Sequence, residues 1–496
     1  MKLGTVISTM DSPSTTTFYF VADDKISVKK GLFIQVSTKE GPLIGRIEEI
    51  TTTNRYFMQP ETISNYSVSI NSHFPTDKWE YLVCKVHCLG ILGDKVKRSN
   101  YPASPGEPVF VAEEENLKRL FRFTEDGIYL GTLAGHNIPV KLDLNRLFQK
   151  HLAILALSGA GKSYATAVLM EELLGRTEEQ GKIGLIVIDP HGEYSAFAYD
   201  EKFSGKVNLV KGKDIRIGLP TIPFHYIETF LPELSFPQKR DLFKVFGILR
   251  KGENVFGIKD LMGIISLDES IKQATKEVLL SSLDMLDNSH LFGFYDVPAV
   301  QSIVVPGKLT ILDVSDITHL RKRQMIASYF LRELFNRRVS GGIPPFIVFV
   351  EEAHNFAPEK SAKHNFSKGI VETIAREGRK FNAILCLISQ RPVHLSTTSL
   401  SQCNTHMFLR ITNPYDKKHI GESSEGLTSE ILDQITSLEV GEAVIVGEAS
   451  QFPLFVNIRN KTVKDAKIGK SLEEECKAYS QKTTKEKKDA LELMKG

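Results

Sequence analysis

The residues with the clearest chemistry form a glycine-rich segment that ends in lysine and serine. The run ALSGAGKS occupies residues 156–163, directly after the apolar run 151–155 and before a helical pattern at 164–174. Gly159 and Gly161 would let the backbone curl so that successive N–H groups face phosphate oxygens. The start of a helix adds positive partial charge at the same place. The segment therefore predicts a P-loop that binds ATP with Mg²⁺, the alternative being a chance glycine-rich turn that opens a helix.

Each residue of this loop has an expected task. Lys162 would reach the β- and γ-phosphates, and Ser163 would bind Mg²⁺. Ala156 stands where the usual motif has its first glycine, and alanine fits there if its φ is negative. The other expected nucleotide contacts are Ser158, Gly159, Ala160, Gly161 and Tyr164.

Three apolar runs end in carboxylates. These side chains could bind Mg²⁺ or polarise the attacking water. We favour Glu351 and Glu352, because the five apolar residues 346–350 before them predict a buried central strand. Glu351 would hold the metal, and Glu352 would orient and polarise the water. Asp189 and Asp313, which end the other two runs, remain alternatives for this work.

A further apolar run, residues 383–389, ends in Gln390. Next to a P-loop sheet, this amide would contact the γ-phosphate or water as a sensor. The alternative is a residue that only caps the end of the strand.

Arginines cluster just before that run, in the segment REGRK at 376–380. Arginine neutralises developing phosphoryl charge across subunit interfaces, so Arg376 is our first candidate for an arginine acting in trans and Arg379 the second. The alternative is a helix end whose cations oppose the helix dipole, with Gly378 as the cap.

The elements that must position these residues predict an α/β fold. Near-continuous apolar runs alternate with helical patterns after residue 150, which is typical of a parallel sheet covered on both faces. Before that, short runs separated by Gly, Pro, Asp and Ser predict a small β-barrel or sandwich, with a turn and then an edge strand in the segment 101–110. We expect a RecA-like P-loop NTPase core with an N-terminal barrel and a helical insertion. The expected domains are a barrel at 1–140, core segments at 141–224 and 301–464, an insertion at 225–300 and a charged tail at 465–496.

Composition narrows the class of protein. The 496 residues are 42% hydrophobic and 25% charged, which excludes wholesale disorder. The 62 basic and 60 acidic residues nearly cancel, so a nucleic-acid-binding surface must be local. Five cysteines suit a reducing compartment, and Cys84, His87 and Cys88 lack a second pair of ligands for zinc. Without a signal-peptide pattern or a run of about 18 apolar residues, we expect a cytoplasmic protein with no membrane segment.

Five segments, taken together, resemble the HerA family, the HerA/FtsK branch of RecA-like motor ATPases found mainly in archaea. They are the P-loop at 158–163, DPHGEY at 189–194, EEAHN at 351–355, REGRK at 376–380 and SQRP at 389–392. The resemblance extends over nearly the whole chain, because the β-rich start is similar to the family's N-terminal barrel, which is like that of F-type ATP synthase subunits.

The resemblance implies a homo-hexameric ring that translocates double-stranded DNA with ATP. It also implies a partner nuclease, NurA, with which HerA resects DNA ends for recombinational repair. The family's ATP lysine corresponds to Lys162, its acidic pair to Glu351 and Glu352, and its trans arginine to Arg376. Lys150 lies where some relatives place an arginine near the nucleotide.

The sequence offers one basic stretch for DNA, residues 359–368, with Lys360, Lys363 and Lys368, although such runs usually face water. Repetition around a ring would make even a few lysines a strongly positive channel. Two alternative functions remain at this point. One is a conjugation or secretion motor that moves single-stranded DNA or protein, and the other is a nucleotide-binding ring without hydrolysis.

Overall fold

The computed structural model describes most residues of the chain. They are 1–9, 12–24, 27–54, 80–252, 255–360, 365–424, 426–464, 473–477 and 479. Two compact units emerge from them. The first comprises Met1–Glu172, Gln390–Val393 and Leu400–Asn460, and the second includes Leu173–Ser389 and His394–Ser399.

Six strands at the start of the first unit close into a small barrel. Their order is β2–β1–β7–β3–β4–β5, and the pairing of β5 with β2 completes the circle. Alternate residues such as Phe18, Phe20, Ile34 and Val36 point inward and fill the core. The strands are β1 (Lys2–Ile7), β2 (Thr17–Ala22), β3 (Phe33–Thr38), β4 (Gly41–Asn54), β5 (Glu80–Leu92) and β7 (Pro108–Val111), with β6 (Val96–Lys97) paired to β5.

The structure differs from the sequence prediction at the end of the barrel. Residues 108–111 lie between β1 and β3 instead of at an edge, because the barrel is closed. The last barrel strand ends at Val111, before the expected boundary at 140. Helix α1 (Glu114–Phe121) then leads to the hairpin β8 (Ile128–Leu133) and β9 (Pro139–Leu142), which pairs with a distant strand at 454–458.

The remainder of the first unit is a sheet of six strands in the order β10–β18–β19–β20–β8–β9. Only the pair β10 and β18 is parallel. Arg46 fastens the barrel to this part of the unit: its guanidinium lies 3.8 Å above the ring centroid of Phe455, and its Nη1 donates to Gln434 Oε1 at 2.8 Å. The new elements are α2 (Leu144–Leu147), β10 (Leu152–Leu155), β18 (Thr405–Phe408), α12 (Pro414–Ser423), α13 (Ser429–Thr436), β19 (Glu442–Gly447) and β20 (Leu454–Ile458).

The second unit contains five parallel strands in the order β12–β15–β11–β16–β17. Every residue of β11, β15, β16 and β17 is buried, as a parallel sheet covered on both faces requires. The predicted α/β class is thus confirmed. The elements are β11 (Gly184–Asp189), β12 (Val207–Lys211), β15 (Leu309–Asp313), α9 (Leu320–Val339), β16 (Phe346–Val350), α10 (Lys368–Glu377) and β17 (Ala383–Ser389). The short helix α11 (Thr397–Leu400) follows β17 in the chain.

Helices dominate the segment expected as an insertion, between β12 and β15. Its two short strands, β13 (Ile217–Gly218) and β14 (Phe292–Gly293), pair with each other in parallel. The helices are α4 (Phe224–Phe230), α5 (Phe236–Gly252), α6 (Ile258–Leu267), α7 (Gln273–Asp287) and the short α8 (Val300–Ile303). Of the expected tail, most lies outside the described residues. Each helix found in the described ranges is too short or too polar to cross a bilayer.

Candidate nucleotide-binding site

The P-loop follows the buried strand β10 and leads into helix α3 (Lys162–Gly175). Gly159 and Gly161 have φ values of +78° and +93°, in the left-handed region. A Cβ on Gly161 would meet only ordinary van der Waals neighbours, so glycine is needed there for its backbone angle and not for space. Ala156 is absent from the residues of positive φ in the described chain, which agrees with the expectation that alanine fits.

The helix start carries the two residues expected to bind phosphate and metal. Lys162 is buried, with 8% of its surface exposed, and Ser163 is half-buried. Two glycines with left-handed backbone angles precede this fourteen-residue helix. They direct backbone N–H groups toward the space above its first turn. This backbone, with a lysine and a serine, fits the phosphate chain of a nucleotide bound with Mg²⁺.

The acidic pair ends strand β16 of the second unit. Glu351 is fully buried, and its Oε2 accepts a hydrogen bond of 2.6 Å from the hydroxyl of Tyr194. Glu352 is 4% exposed and adopts φ +51°, a conformation that costs a non-glycine residue energy and is often found at functional positions. His354 Nδ1 lies 3.2 Å from Glu352 Oε2 and 3.1 Å from Ser389 Oγ.

The two alternative carboxylates have local structural partners. Asp189 accepts hydrogen bonds from the N–H groups of His191, Gly192 and Tyr194, at 3.1, 2.8 and 2.9 Å. Its pKa is raised, chiefly by burial, although those amides oppose the shift. Asp189 therefore fixes the turn that brings Tyr194 to Glu351.

Asp313 is held in a different way. Burial alone would raise its pKa, but the hydrogen bonds from Lys211 and Ser315 outweigh burial, and the pKa lies below its ordinary value. Lys211 Nζ is 2.5 Å and Ser315 Oγ 2.6 Å from the carboxylate. Asp313 thus joins the ends of β12 and β15.

The sensor and arginine candidates lie at the ends of their elements. Gln390 is half-buried directly after β17. Arg376, in the last turn of α10, and Arg379, in the following turn Gly378–Phe381, are exposed, and neither side chain makes a hydrogen bond or ion pair among the described residues. Gly378 has φ −58°, so it is not the left-handed cap that the structural alternative assumed.

Of the lysines expected near DNA or nucleotide, Lys368 and Lys150 have partners in their own chain, whereas Lys360 is exposed. Lys368 Nζ donates to Glu359 O at 2.9 Å and lies 3.8 Å from Glu372. Lys363 lies outside the described residues. Lys150 hydrogen-bonds to Gln402 within the first unit.

Sequence reasoning assigned no individual role to Tyr194 or His354, the two side chains in contact with the acidic pair. Both occur in the segments that carry the family resemblance, DPHGEY and EEAHN. Their presence in these two segments was the only feature of the sequence that pointed to them. In the described chain, no group of three or more His, Cys, Asp or Glu side chains could hold a metal ion by itself.

Comparison with known proteins identifies relatives over most of the chain. Residues 128–334 match the family model described as helicase HerA, central domain. The DNA double-strand break repair helicase HerA of Saccharolobus solfataricus is 31% identical over 403 residues, which cover 76% of this chain and 77% of that protein. Its namesake from Pyrococcus furiosus is 28% identical over 515 residues, which cover 90% of each chain.

A solved structure adds information about the fold. VirB4 of Thermoanaerobacter pseudethanolicus superposes with a TM-score of 0.53 at 17% identity, which covers 68% of this chain and 98% of VirB4. At that identity the likeness concerns the fold alone, and it confirms the predicted P-loop NTPase architecture. From the extent and identity of the HerA matches, it follows that the chain belongs to the HerA family.

Proposed function

We propose that this chain is an ATP-driven helicase or translocase that acts on double-stranded DNA in the repair of double-strand breaks. The observation that carries the proposal is a P-loop with two left-handed glycines in a chain whose relatives are named as DNA double-strand break repair helicases. The buried glutamate pair supports hydrolysis rather than nucleotide binding alone, because a motor needs a residue to polarise water.

The roles of individual residues follow from their chemistry. Lys162 binds the β- and γ-phosphates, and the backbone of residues 158–164 holds the phosphate chain. Ser163 and Glu351 would hold Mg²⁺, which when bound supplies positive charge to the phosphate oxygens. Tyr194 keeps the Glu351 carboxylate in one orientation through its 2.6 Å hydrogen bond.

Glu352 is proposed to orient and polarise the attacking water. His354 Nδ1 lies 3.2 Å from the Glu352 carboxylate and 3.1 Å from Ser389 Oγ, so a protonated imidazole would orient that carboxylate. Gln390, which follows Ser389, is the proposed sensor of the γ-phosphate. The strained backbone of Glu352 supports this assignment, because such strain persists where geometry matters for function.

Arg376 is proposed to complete a neighbouring subunit's site in a homo-hexamer, with Arg379 as second choice. Its exposure and lack of partners in the described chain suit an arginine that reaches out of its own subunit. By the family resemblance, the proposed partners are double-stranded DNA and a NurA-type nuclease, with which the ring would resect DNA ends.

ATP hydrolysis measured with and without linear duplex DNA tests this function. We expect the wild-type protein to hydrolyse ATP faster with DNA, and Lys162→Ala to abolish turnover while the native mass is unchanged. Lys251→Ala, at an exposed helix end, is the matched control and should behave as wild type. Absence of hydrolysis by the wild-type protein with Mg²⁺, duplex DNA and the partner nuclease would refute the proposal.

A further inference from the structure

A cavity of about 790 Å³ lies entirely within the second unit, between the end of α7 and the start of α9. Basic and apolar side chains share its lining. The basic ones are Lys213, Arg321 and Lys322, and the apolar ones include Met285, Ile317 and Met325. The residues to which we assigned the nucleotide, the metal, the water and the neighbouring site all lie outside this lining. The cavity therefore has no part in the function proposed above.

We propose that this cavity is a second ligand site, which binds a small phosphate ester with an apolar body. Its volume lies within the range of about 300–1,000 Å³ that is typical of small-molecule sites. The basic side chains would hold the phosphate through charge-assisted hydrogen bonds, and the apolar side chains would pack against the rest of the molecule. The site does not depend on the proposed ATPase, because it shares no residue with it.

Lys322 is the residue that most clearly calls for an anion. Its side chain is half-buried, and its ammonium group makes no hydrogen bond or ion pair with any described residue. Burial lowers the pKa of Lys322 and the neighbouring Arg216 lowers it further, whereas Asp316 acts in the opposite direction. A half-buried cation beside a second cation is costly, and a bound phosphate would offset that cost.

The lining as a whole carries more positive than negative charge. Its three permanent cations face two carboxylates, Asp284 and Asp316. Both carboxylates are already hydrogen-bonded: Asp284 accepts from Asn288 Nδ2 at 2.9 Å, and Asp316 accepts from the N–H of Lys213 at 2.9 Å. An anionic ligand is therefore favoured over a cation.

Helix α9 begins at the cavity and adds to its positive potential. The helix is 20 residues long, its first turn contains no acidic residue, and the side chain of its N-cap, His319, makes no capping hydrogen bond. The first turn carries Arg321 and Lys322 instead, although cations at a helix start oppose the helix dipole. A phosphate bound beside Lys322 would interact favourably with the lysine and with the dipole at once.

The apolar part of the lining explains why we propose an ester and not inorganic phosphate. Met325 and Ile317 are buried, and Met285 on α7 is 42% exposed. The thioether of Met285 lies 3.9 Å from Arg321 Nη1, so the apolar and basic parts of the lining are in contact. A ligand that fills both must carry an apolar group next to its anionic group, and methionine side chains adapt to such groups.

The loop after β15 connects the cavity to the acidic pair. Ile317 of this loop lines the cavity, and at its start Val314 donates its N–H to Asp189 O at 2.9 Å. A Cβ on Gly192 would lie only 3.2 Å from Ser315 Oγ, so the turn 189–194 packs closely on the same loop. This turn holds the tyrosine that is hydrogen-bonded to Glu351. A ligand that orders the loop should therefore also order the turn.

Calorimetric titration of the full chain with phenyl phosphate tests the site. The protein is first saturated with a non-hydrolysable ATP analogue and Mg²⁺, so that the P-loop is occupied. We expect phenyl phosphate to bind, inorganic phosphate to bind about threefold more weakly or worse, and phenol not to bind. Lys322→Met should weaken phenyl phosphate binding about tenfold, because a charged hydrogen-bond donor is lost, whereas Lys322→Arg should retain it.

Two further variants locate the bound molecule. Lys259→Met is the matched control, because Lys259 is exposed on α6 and outside the cavity lining, and it should bind as the wild type does. Met285→Ala should weaken the binding of phenyl phosphate and leave that of inorganic phosphate unchanged. No binding of phenyl phosphate at millimolar concentration, or binding that Lys322→Met leaves unchanged, would overturn the site whether or not the ATP analogue binds.

Competition experiments identify the source of the ester. Displacement of phenyl phosphate by thymidine monophosphate would support a free small molecule as the ligand. Displacement only by a 5′-phosphorylated oligothymidine would overturn that choice and assign the end of a DNA strand.

Hydrogen exchange tests the connection to the acidic pair. We expect phenyl phosphate to slow amide exchange in residues 189–194 of the wild type and not of Lys322→Met. Unchanged exchange in these residues when the ligand is bound would overturn the connection and leave the site.

Discussion

The hydroxyl of Tyr194 donates a hydrogen bond of 2.6 Å to Glu351 Oε2, and both side chains are buried. Tyr194 reaches this position because Asp189 accepts hydrogen bonds from three amides of the intervening turn, including that of Tyr194 itself. Asp189, which the sequence left as an alternative metal ligand, thus positions Tyr194 against the acidic pair by fixing the backbone of this turn.

Removal of this hydrogen bond should cost stability. Tyr194→Phe deletes only the donor and leaves a buried carboxylate without it, so we expect a loss of about 1–3 kcal/mol in the free energy of unfolding. Denaturant titration measures the loss. Tyr199→Phe is the control, since Tyr199 is 76% exposed and its hydroxyl faces water, and it should be nearly neutral. Equal stability of the Tyr194→Phe and wild-type proteins would mean that the contact contributes nothing.

Hydrolysis should depend on Glu352 more than nucleotide binding does. Glu352→Gln keeps the size of the side chain and removes the charge that polarises water, so turnover should fall by about 100-fold or more while ATP still binds. Rapid-filtration binding and phosphate release separate the two effects. A variant that hydrolyses ATP at the wild-type rate would exclude Glu352 from this role and return attention to Asp189 and Asp313.

The proposal that an arginine acts in trans can be tested by mixing subunits. In the proposed ring, neither the Lys162→Ala nor the Arg376→Ala protein alone should hydrolyse ATP, but mixed rings would contain interfaces with an intact lysine on one side and an intact arginine on the other. We expect mixing to restore part of the activity for Arg376→Ala. The same experiment with Arg379→Ala distinguishes the two candidates. A residue that acts within its own subunit would show no recovery.

Stability should fall in mild acid because of His406. This residue is 3% exposed in β18, its ring is stacked on Phe408, and burial lowers its pKa to about 4. In the unfolded chain a histidine has a pKa of about 6.5. Between these values only the unfolded state binds the proton, so the contribution is complete above pH 6.5, falls as the pH drops, and is exhausted below pH 4.

The total effect is about 3 kcal/mol at most. Urea titrations at several pH values, compared between the wild type and His406→Leu, isolate this residue from other titrating groups. The difference in unfolding free energy between the two proteins should change between pH 6.5 and 4 and be constant above that range. A constant difference throughout would place the pKa of His406 at its ordinary value.

The sequence was most informative where one physical rule dominates. Strands β11, β16 and β17 coincide with their apolar runs, because a strand covered on both faces has no reason to alternate. The P-loop could also be predicted, because its glycines, lysine and serine all lie within eight consecutive residues. The domain boundaries after residue 140 and the roles of the site residues stay predictions.

What could not be predicted depends on which strands are neighbours. Tyr194 reaches Glu351 because β11 lies beside β16, in a register that sets Ile188 opposite Val350. An alternation of strands and helices does not specify that order. The hairpin β8–β9 was predicted to belong to the barrel because its short runs contain glycine, as the barrel strands do. Its partner β20 lies more than 300 residues away in the chain, so the local sequence does not indicate the pairing.

The long-range pairing of β8 with β20 bears on how the protein can be divided into fragments. A polypeptide cut at residue 140 would carry β8 and half of β9 without β20, the partner of β8, and would expose an unsatisfied strand edge, which promotes aggregation. A fragment that stops after Ala112 retains all six strands of the closed barrel and no such edge.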